Sequence, residues 1–425
     1  MGYGQLIRFL LPLVLMVVVQ EFGEQVLNAG MARMPRAVET LAGYGLAWGL
    51  TALLSGPLTQ GRQLGLVLAT HKQAYWQVSR FVLLTGLGLS GVVACLAITP
   101  FGAWVIEDVH RADASLAAVV GQAFVWLIPF PIFRGFARFY GGLLIQVRRT
   151  DVVSAGTIAS IGMSIVTVFV LLSTDWVDQQ PIMLPLLASY AGLLTEFAIV
   201  WWGQRRFVPL ERNGDEYLSF MYIVKFFWPL ALIMGVQAGT RPLINLFVSR
   251  ASDGTEALAV LTIVYALGHV PYGWVNEVRS LPAAFKGEPG GQHYITRFVW
   301  GCGIVSFVSM LVLFWTPMNR YLLDTVIGVG PELAVHCETP LMIFLGFPFV
   351  VALRSYYHGV GLVAHKTQVM APSAPSRIAA VVVMFVILSQ FDMHTATRAV
   401  GALVSGHSVE ALVVWWAVRK AIKEG

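Results

Sequence analysis

Residues 12–33, PLVLMVVVQEFGEQVLNAGMAR, read as a membrane-spanning helix interrupted by two carboxylates, Glu21 and Glu24. Residues 229–250, PLALIMGVQAGTRPLINLFVSR, share the layout, with Arg241 where the first stretch has Glu24. Glu21, Glu24 and Asn28 fall at i, i+3 and i+7, and Gln237, Arg241 and Asn245 at i, i+4 and i+8. Each set therefore makes one polar stripe along a helix. A charge at mid-bilayer costs at least about 2.5–3.5 kcal/mol, so ionisable groups there face a cavity or a partner. Glu21 and Glu24 are expected to serve in gating or ion coupling, and Glu24 with Arg241 either as a structural ion pair or as a gate.

Further basic residues interrupt other apolar stretches. Arg134 and Arg138 stand one turn apart on one predicted helix, and Arg354 and His358 have the same spacing on its counterpart. Guanidinium suits an anion site because its planar fork binds carboxylate or phosphate bidentately and keeps its proton. Snorkelling to lipid headgroups is the alternative for Arg138 and Arg354. Arg377, about a turn inside the next helix, either joins the anion site or contacts lipid. His269, beside a proline break, is a core histidine or a ligand, and Glu277 with Arg279 reads as a structural charge pair. Glu196 and Glu410, each on the last helix of a half, pair locally or titrate; Glu410 and Glu277 complete the candidate coupling acids.

The elements that carry these residues follow from composition. The chain has 425 residues, 57% hydrophobic and 12% charged, against roughly 25% charged in soluble domains; mean hydropathy is +0.70. A spanning helix needs about 20 apolar residues, and twelve candidates are centred near residues 19, 50, 90, 130, 164, 192, 234, 267, 307, 349, 381 and 408. The fold class is an all-α membrane protein, which leaves no room for a soluble catalytic domain. The net charge of +5 is distributed by side: seventeen of the 28 Lys and Arg fall on one set of loops and helix ends and six on the other, which sets both termini inside. Cys95, Cys302 and Cys337 are isolated from one another and read as buried free thiols. GLGLSG, residues 86–91, fits a dinucleotide pattern but lies inside an apolar span, where close helix packing explains its glycines. HExxH, GxSxG and P-loop motifs do not occur, so neither enzymatic activity nor a cofactor is expected. The expected partners are a small anion and the lipid bilayer, without nucleic acid, and the working unit is a monomer.

A shift of 217 residues superposes the two halves without a gap. Pro12, Gln20, Asn28, Arg33, Glu39, Gly56 and Arg62 meet Pro229, Gln237, Asn245, Arg250, Glu256, Gly273 and Arg279. The same offset pairs Tyr140, Gly142 and Thr150 with Tyr357, Gly359 and Thr367. Six spans per half give parallel repeats: an N-lobe over 1–206, a cytoplasmic linker over 207–217 and a C-lobe over 218–425. Two such lobes are an architecture of alternating-access transporters, whose sites often lie beside broken helices. LLSGPL (53–58) and GHVPYGW (268–274) interrupt the second helix of each lobe and are expected to face a cavity.

At FGEQVLNAG (22–30), LAGYGLAW (41–48), WPLALI (228–233), RPLINLFVSR (241–250), LGHVPYGWVNEVR (267–279) and MAPSAPSRI (370–378), the sequence resembles the progressive ankylosis protein family over nearly its whole length. The resemblance implies a fold like the multidrug and toxin extrusion (MATE) transporters, within the wider flippase superfamily. It also implies export of small polyanions: pyrophosphate, nucleotides such as ATP, and citrate or related carboxylates. It covers Glu24, Asn28, Arg241, Asn245, His269, Glu277, Arg354, Arg377 and Glu410. Arg134, Arg138 and Glu196 depart from the vertebrate pattern, which leaves substrate preference open. Short termini without a long acidic tail look bacterial, and the expected location is a multi-pass protein of a bacterial inner membrane.

The leading reading is an alternating-access exporter of small polyanions. The alternatives are a MATE-type cation or drug antiporter coupled to protons or sodium through Glu21 and Glu24, a lipid-headgroup flippase, and a non-transporting scaffold. Excess intramembrane arginine argues against the cation antiporter. If Glu24 and Arg241 pair, each single replacement strands a poorly solvated charge and impairs transport, whereas Glu24→Arg with Arg241→Glu restores part of it. A double-mutant cycle on transport rate measures the coupling; strictly additive effects mean that the two do not meet.

Overall fold

The computed structural model describes residues 2–31, 37–109, 114–209, 218–248, 250–327 and 331–424. Among them the chain is helical throughout and divides into two compact units. The first is Leu11–Phe227, and the second is Met1–Leu10 with Trp228–Gly425. Helices of seven residues or more are numbered in chain order. They begin with α1 (Tyr3–Met31), α2 (Ala37–Ser55), α3 (Gly61–Val67), α4 (Lys72–Ile98), α5 (Ala114–Leu127), α6 (Phe130–Gln146), α7 (Thr150–Leu172) and α8 (Met183–Phe207). They continue with α9 (Phe220–Val248), α10 (Gly254–Gly273), α11 (Gly291–Phe314), α12 (Pro331–Ile343), α13 (Phe347–Val363), α14 (Ser373–Leu388) and α15 (Thr395–Lys423). Most of the expected linker, residues 210–217, lies outside the described residues.

Among the described residues ten helical segments are long and apolar enough to cross a membrane, and α5 with α6, bent by 46°, makes an eleventh if taken as one span. All twelve expected centres fall on helices. The second expected span falls on α2, 19 residues long, several of whose side chains lie outside the described residues, and it is not in that count. The long helices turn rows of large apolar side chains outward, such as Leu83, Leu84 and Leu87 on α4 and Val308, Leu311 and Val312 on α11. In lipid such faces need no cover. Cys95 is exposed on α4, contrary to the expectation of a buried thiol, because it shares this outward face with Val92 and Ile98. Of the GLGLSG glycines only Gly86 packs closely, against Ile132; Gly88 and Gly91 face open space.

The repeat is visible in the backbone. Each half has a 3-10 segment after its second helix, Gly56–Gln60 and Trp274–Ser280. Each has a π-turn, Trp104–Val109 and Leu322–Ile327. The described non-glycine residues with positive φ are Arg148 (62°) and His365 (55°), 217 residues apart. Both close a helix in the same way. Arg149 N–H donates to Leu144 O at 2.8 Å and Arg148 N–H to Ile145 O at 2.9 Å, while Lys366 N–H donates to Gly361 O at 2.9 Å and His365 N–H to Leu362 O at 3.0 Å. This is the paired-bond cap that satisfies the last carbonyls of a helix around one left-handed residue.

Glycines set the approach of the broken second helix to its neighbour in each unit. A Cβ on Gly142 would overlap the carbonyl oxygen of Arg62, and one on Gly359 would overlap that of Arg279, the repeat mate of Arg62. Backbone meets backbone there, with no flexible side chain to yield. Gly359→Ala is accordingly expected to destabilise the protein by about 1–3 kcal/mol, the usual cost of overpacking. Gly301→Ala, on an α11 position with nothing within 4 Å, should be neutral or slightly stabilising. Thermal melting of both variants in detergent makes the comparison; equal melting points would refute the close-approach account.

Candidate functional site

Each unit contains a polar cavity. That of the second unit, about 470 Å³, is lined along α9 by Gln237 and Arg241, and along α10 and its 3-10 extension by His269, Tyr272, Asn276 and Arg279. Arg354, Ser355 and His358 of α13, Arg377 of α14 and His407 of α15 complete its polar wall. Helical spacing explains the convergence, since Arg354 and His358 are one turn apart, as are His269 and Tyr272.

A buried carboxylate organises this wall. Glu410 on α15 is wholly buried, and Arg354 and Arg377 are 8% and 4% exposed. Arg377 Nη1 donates to Glu410 Oε2 at 2.9 Å and Arg354 Nη1 to the same oxygen at 3.3 Å. Gln237 Nε2 donates to the other oxygen at 2.9 Å. Arg354 Nη2 donates to Asn276 Oδ1, which also accepts from Ser355 Oγ at 3.4 Å. One carboxylate against two guanidiniums leaves this triad with a net positive charge.

The helix break places Asn276. Pro271 has no backbone N–H, and its carbonyl accepts from Trp274 Nε1 at 2.9 Å and Ser306 Oγ at 2.8 Å. The chain then tightens to 3-10 geometry at Trp274–Ser280. Asn276 Nδ2 donates to Gly273 O at 2.9 Å, which fixes the amide so that its oxygen meets Arg354. A Cβ on Gly273 would collide with the His269 ring, so the glycine makes room for that histidine.

Aromatic rings and two histidines line the remainder. Tyr272 stacks on Phe347 at 4.7 Å and 9°, and Phe347 meets the edge of His407 at 4.8 Å. His407 Nδ1 donates to Leu403 O at 2.8 Å, which fixes the orientation of the ring. Arg241 lies 4.8 Å over the Tyr265 ring. Arg377 Nε and His358 Nε2 are buried without a hydrogen-bond partner. The unsatisfied guanidinium donor in a positively charged hollow is what an entering anion would meet.

The first unit has the corresponding cavity, about 150 Å³, lined by Gln20, Trp48, Phe130, Arg134, Arg138 and Ser160 among others. Arg138 Nη1 stands 3.6 Å from Glu196 Oε1, which also accepts from Thr157 Oγ1 at 3.4 Å. Arg134 lies over Phe130 at 5.9 Å. Gln20 and Phe130 are the repeat mates of Gln237 and Phe347, but Ser160 and Leu193 stand where the second unit has Arg377 and Glu410. The charged triad belongs to the second unit.

Of the candidate residues, Arg241, Arg354, Arg377 and His269 line one cavity, and Arg134 and Arg138 line the cavity of the other unit. Glu410 is the counter-ion of two of these arginines, while Glu277 and Asn245 are outside the cavity lining. The side chains of Glu21, Glu24 and Asn28 lie outside the described residues, and so does the proposed contact of Glu24. The sequence reading missed Asn276, Tyr272 and His407. His407 and Glu410, three apart on one helix face, were the available signal.

A model of the family described as progressive ankylosis protein (ANKH) matches residues 1–316. Solved structures of the same fold include a mutant form of the MATE transporter VcmN of Vibrio cholerae, at 14% identity and TM-score 0.76, covering 99% of this chain and 97% of that one. A MOP superfamily transporter from Pyrococcus furiosus matches at 14% identity and TM-score 0.70, covering 99% and 95%. The eukaryotic MATE transporter AtDTX14 matches at 14% and 0.70, covering 99% and 98%. The fold is the one seen in MATE transporters, and its long apolar helices are those of a multi-pass membrane protein.

Glu410→Gln should leave two buried guanidiniums facing each other without a counter-charge. Breaking a buried pair in this way costs about 3–5 kcal/mol. The expected result is a clear drop in thermal stability, partly recovered by adding Arg377→Met, which removes one of the stranded charges. A wild-type melting point for Glu410→Gln would show that the triad does not hold the helices of this unit together.

Proposed function

We propose that this chain, which belongs to the progressive ankylosis protein family, is an alternating-access exporter of small multivalent anions that binds its substrate in the cavity of the second unit. The observation that carries this reading is the Arg354–Arg377–Glu410 triad, two guanidiniums sharing one carboxylate, with Arg241 lining the same cavity. A hollow of about 470 Å³ falls within the range of small-molecule sites, roughly 300–1,000 Å³. Pyrophosphate, citrate and nucleotides such as ATP are the substrates to test first. The Pyrococcus furiosus relative of this fold has been described as having a binding pocket of reversed polarity that suggests a different function, and a basic pocket here fits a cargo other than the cations of drug exporters.

The membrane potential can drive such export without a coupling ion. Expelling negative charge from a negative interior gains about 2.3 kcal/mol per charge per 100 mV. In this reading the protein works as a monomer in a bacterial inner membrane, binds no cofactor and carries out no catalysis. Glu410 then serves as the fixed counter-ion that holds Arg354 and Arg377 close together in the empty site.

Arg354→Gln tests this role, because Glu410 keeps its pair with Arg377 and the fold should survive. Loss of one charge-assisted contact, about 1.5–3 kcal/mol, predicts a fall of roughly 10–100-fold in transport of labelled pyrophosphate, citrate or ATP by proteoliposomes. Arg354→Lys should recover only part, since the bidentate fork is lost. Wild-type transport by the Gln variant removes Arg354 from the site.

A further inference from the structure

A second constellation lies away from the basic cavity. Glu256 is in the first turn of α10, His336 is in α12, and His394 is the N-cap of α15. The distribution of basic residues places these helix starts on the outer side of the membrane. Each residue offers one ligand atom, and the three atoms lie within 4.8 Å of one another. His336 Nε2 is 3.2 Å and His394 Nε2 3.9 Å from the same oxygen, Glu256 Oε1. The two imidazole rings stack at 4.4 Å and 19°, so one ring has to turn about its Cβ–Cγ bond for both Nε2 atoms to meet one ion.

We infer that Glu256, His336 and His394 form a divalent-cation site suited to zinc, which joins the outer ends of α10, α12 and α15. Two imidazoles and a carboxylate are a donor set that zinc takes at bond lengths of about 2.0–2.2 Å, and tetrahedral geometry then sets ligand atoms about 3.3 Å apart. The observed spacings of 3.2 and 3.9 Å bracket that figure. His394 Nε2 is buried and makes no hydrogen bond, although two carboxylates stand nearby, Asp253 Oδ2 at 3.6 Å and Glu256 Oε1. A cation among these groups gives the nitrogen a partner. The nearby cation Arg398 is turned to a backbone acceptor, Phe391 O, at 3.1 Å.

The proton inventory is simple. His394 Nδ1 accepts from Ala396 N–H at 3.3 Å, so in the neutral ring the hydrogen is on Nε2. To ligate through Nε2 the ring moves that hydrogen to Nδ1, without net proton release, and gives up the Ala396 contact. The start of α15 stays capped, because Asp253 accepts from Thr395 N–H at 3.0 Å and from the Thr395 hydroxyl. With three protein ligands, the fourth position of the metal is left for water or Asp253. Since α10 carries His269 and α15 carries His407 and Glu410, the metal would restrain two helices that build the cavity.

The test uses purified full-length protein without a histidine tag, treated with chelator and titrated with zinc chloride. We expect saturable uptake of one zinc per chain, a concentration-dependent rise in melting temperature, and an X-ray absorption spectrum with nitrogen and oxygen neighbours at about 2.0–2.2 Å and imidazole outer-shell scattering. Losing only an outer partner of a ligating histidine costs about 10–100-fold in metal affinity. His336→Gln and His394→Asn should therefore each weaken zinc binding by at least about tenfold. Asn keeps an acceptor at the N-cap, and His336 is exposed enough for its variant to fold. His293→Gln, elsewhere on the surface, should bind zinc as the wild type does. Wild-type zinc affinity in both site variants, or no stoichiometric uptake by the wild type, overturns the proposal.

Discussion

Glu410 is a wholly buried carboxylate, and the second unit is arranged around supplying its partners. Its two oxygens draw Gln237 from α9, Arg354 from α13 and Arg377 from α14 onto α15. In bulk water such contacts would be nearly neutral exchanges with solvent. For a carboxylate buried away from bulk solvent each contact matters more, because the alternative is an unpaired charge or amide. Polar contacts thus fix which helices meet and in what rotation, a task that apolar side chains perform poorly where the surrounding lipid is equally apolar. The residual positive charge is a by-product of that constraint.

Duplication gave both units the same backbone devices but different electrostatics. The 3-10 breaks, the π-turns, the left-handed caps at Arg148 and His365 and the glycine contacts to Arg62 O and Arg279 O recur at one offset. These are geometric solutions to turning and packing a helix, indifferent to cargo. The ion pair Arg138–Glu196 and the triad around Glu410 do not occupy equivalent positions. Each unit draws its arginine from α6 or α13 and its acid from α8 or α15, so the helix pairing was kept while the residues moved along it.

Much of the scaffold was legible in the sequence, because length, hydropathy and repeat offset depend on local composition. The twelve span centres and the proline breaks follow from that alone. Charge partners were harder to read. Arg354, Arg377 and Glu410 were each conspicuous as charges in apolar stretches, but which pairs with which depends on helix rotation, and periodicity within one helix does not set rotation relative to another. Asn276 escaped notice for a related reason: an amide three residues after a glycine looks like a loop residue until the 3-10 winding shows that it bonds back to Gly273 and forward to Arg354. The Glu256–His336–His394 group unites three chain regions with no common motif, so no sequence pattern marks it.

The seven-residue 3-10 segment Trp274–Ser280 has a different pitch from the α10 helix that it extends toward the guanidinium cluster. A 3-10 turn advances about 2.0 Å and 120° per residue, an α-turn about 1.5 Å and 100°. Rewinding these residues into α-helix would shorten the segment by about 3.5 Å and rotate Asn276 by about 60° relative to Gly273. Arg354 would then lose its amide partner while keeping Glu410. Such a rewinding would link the length of the segment to the number of donors facing the hollow, by geometry alone and without a titrating group.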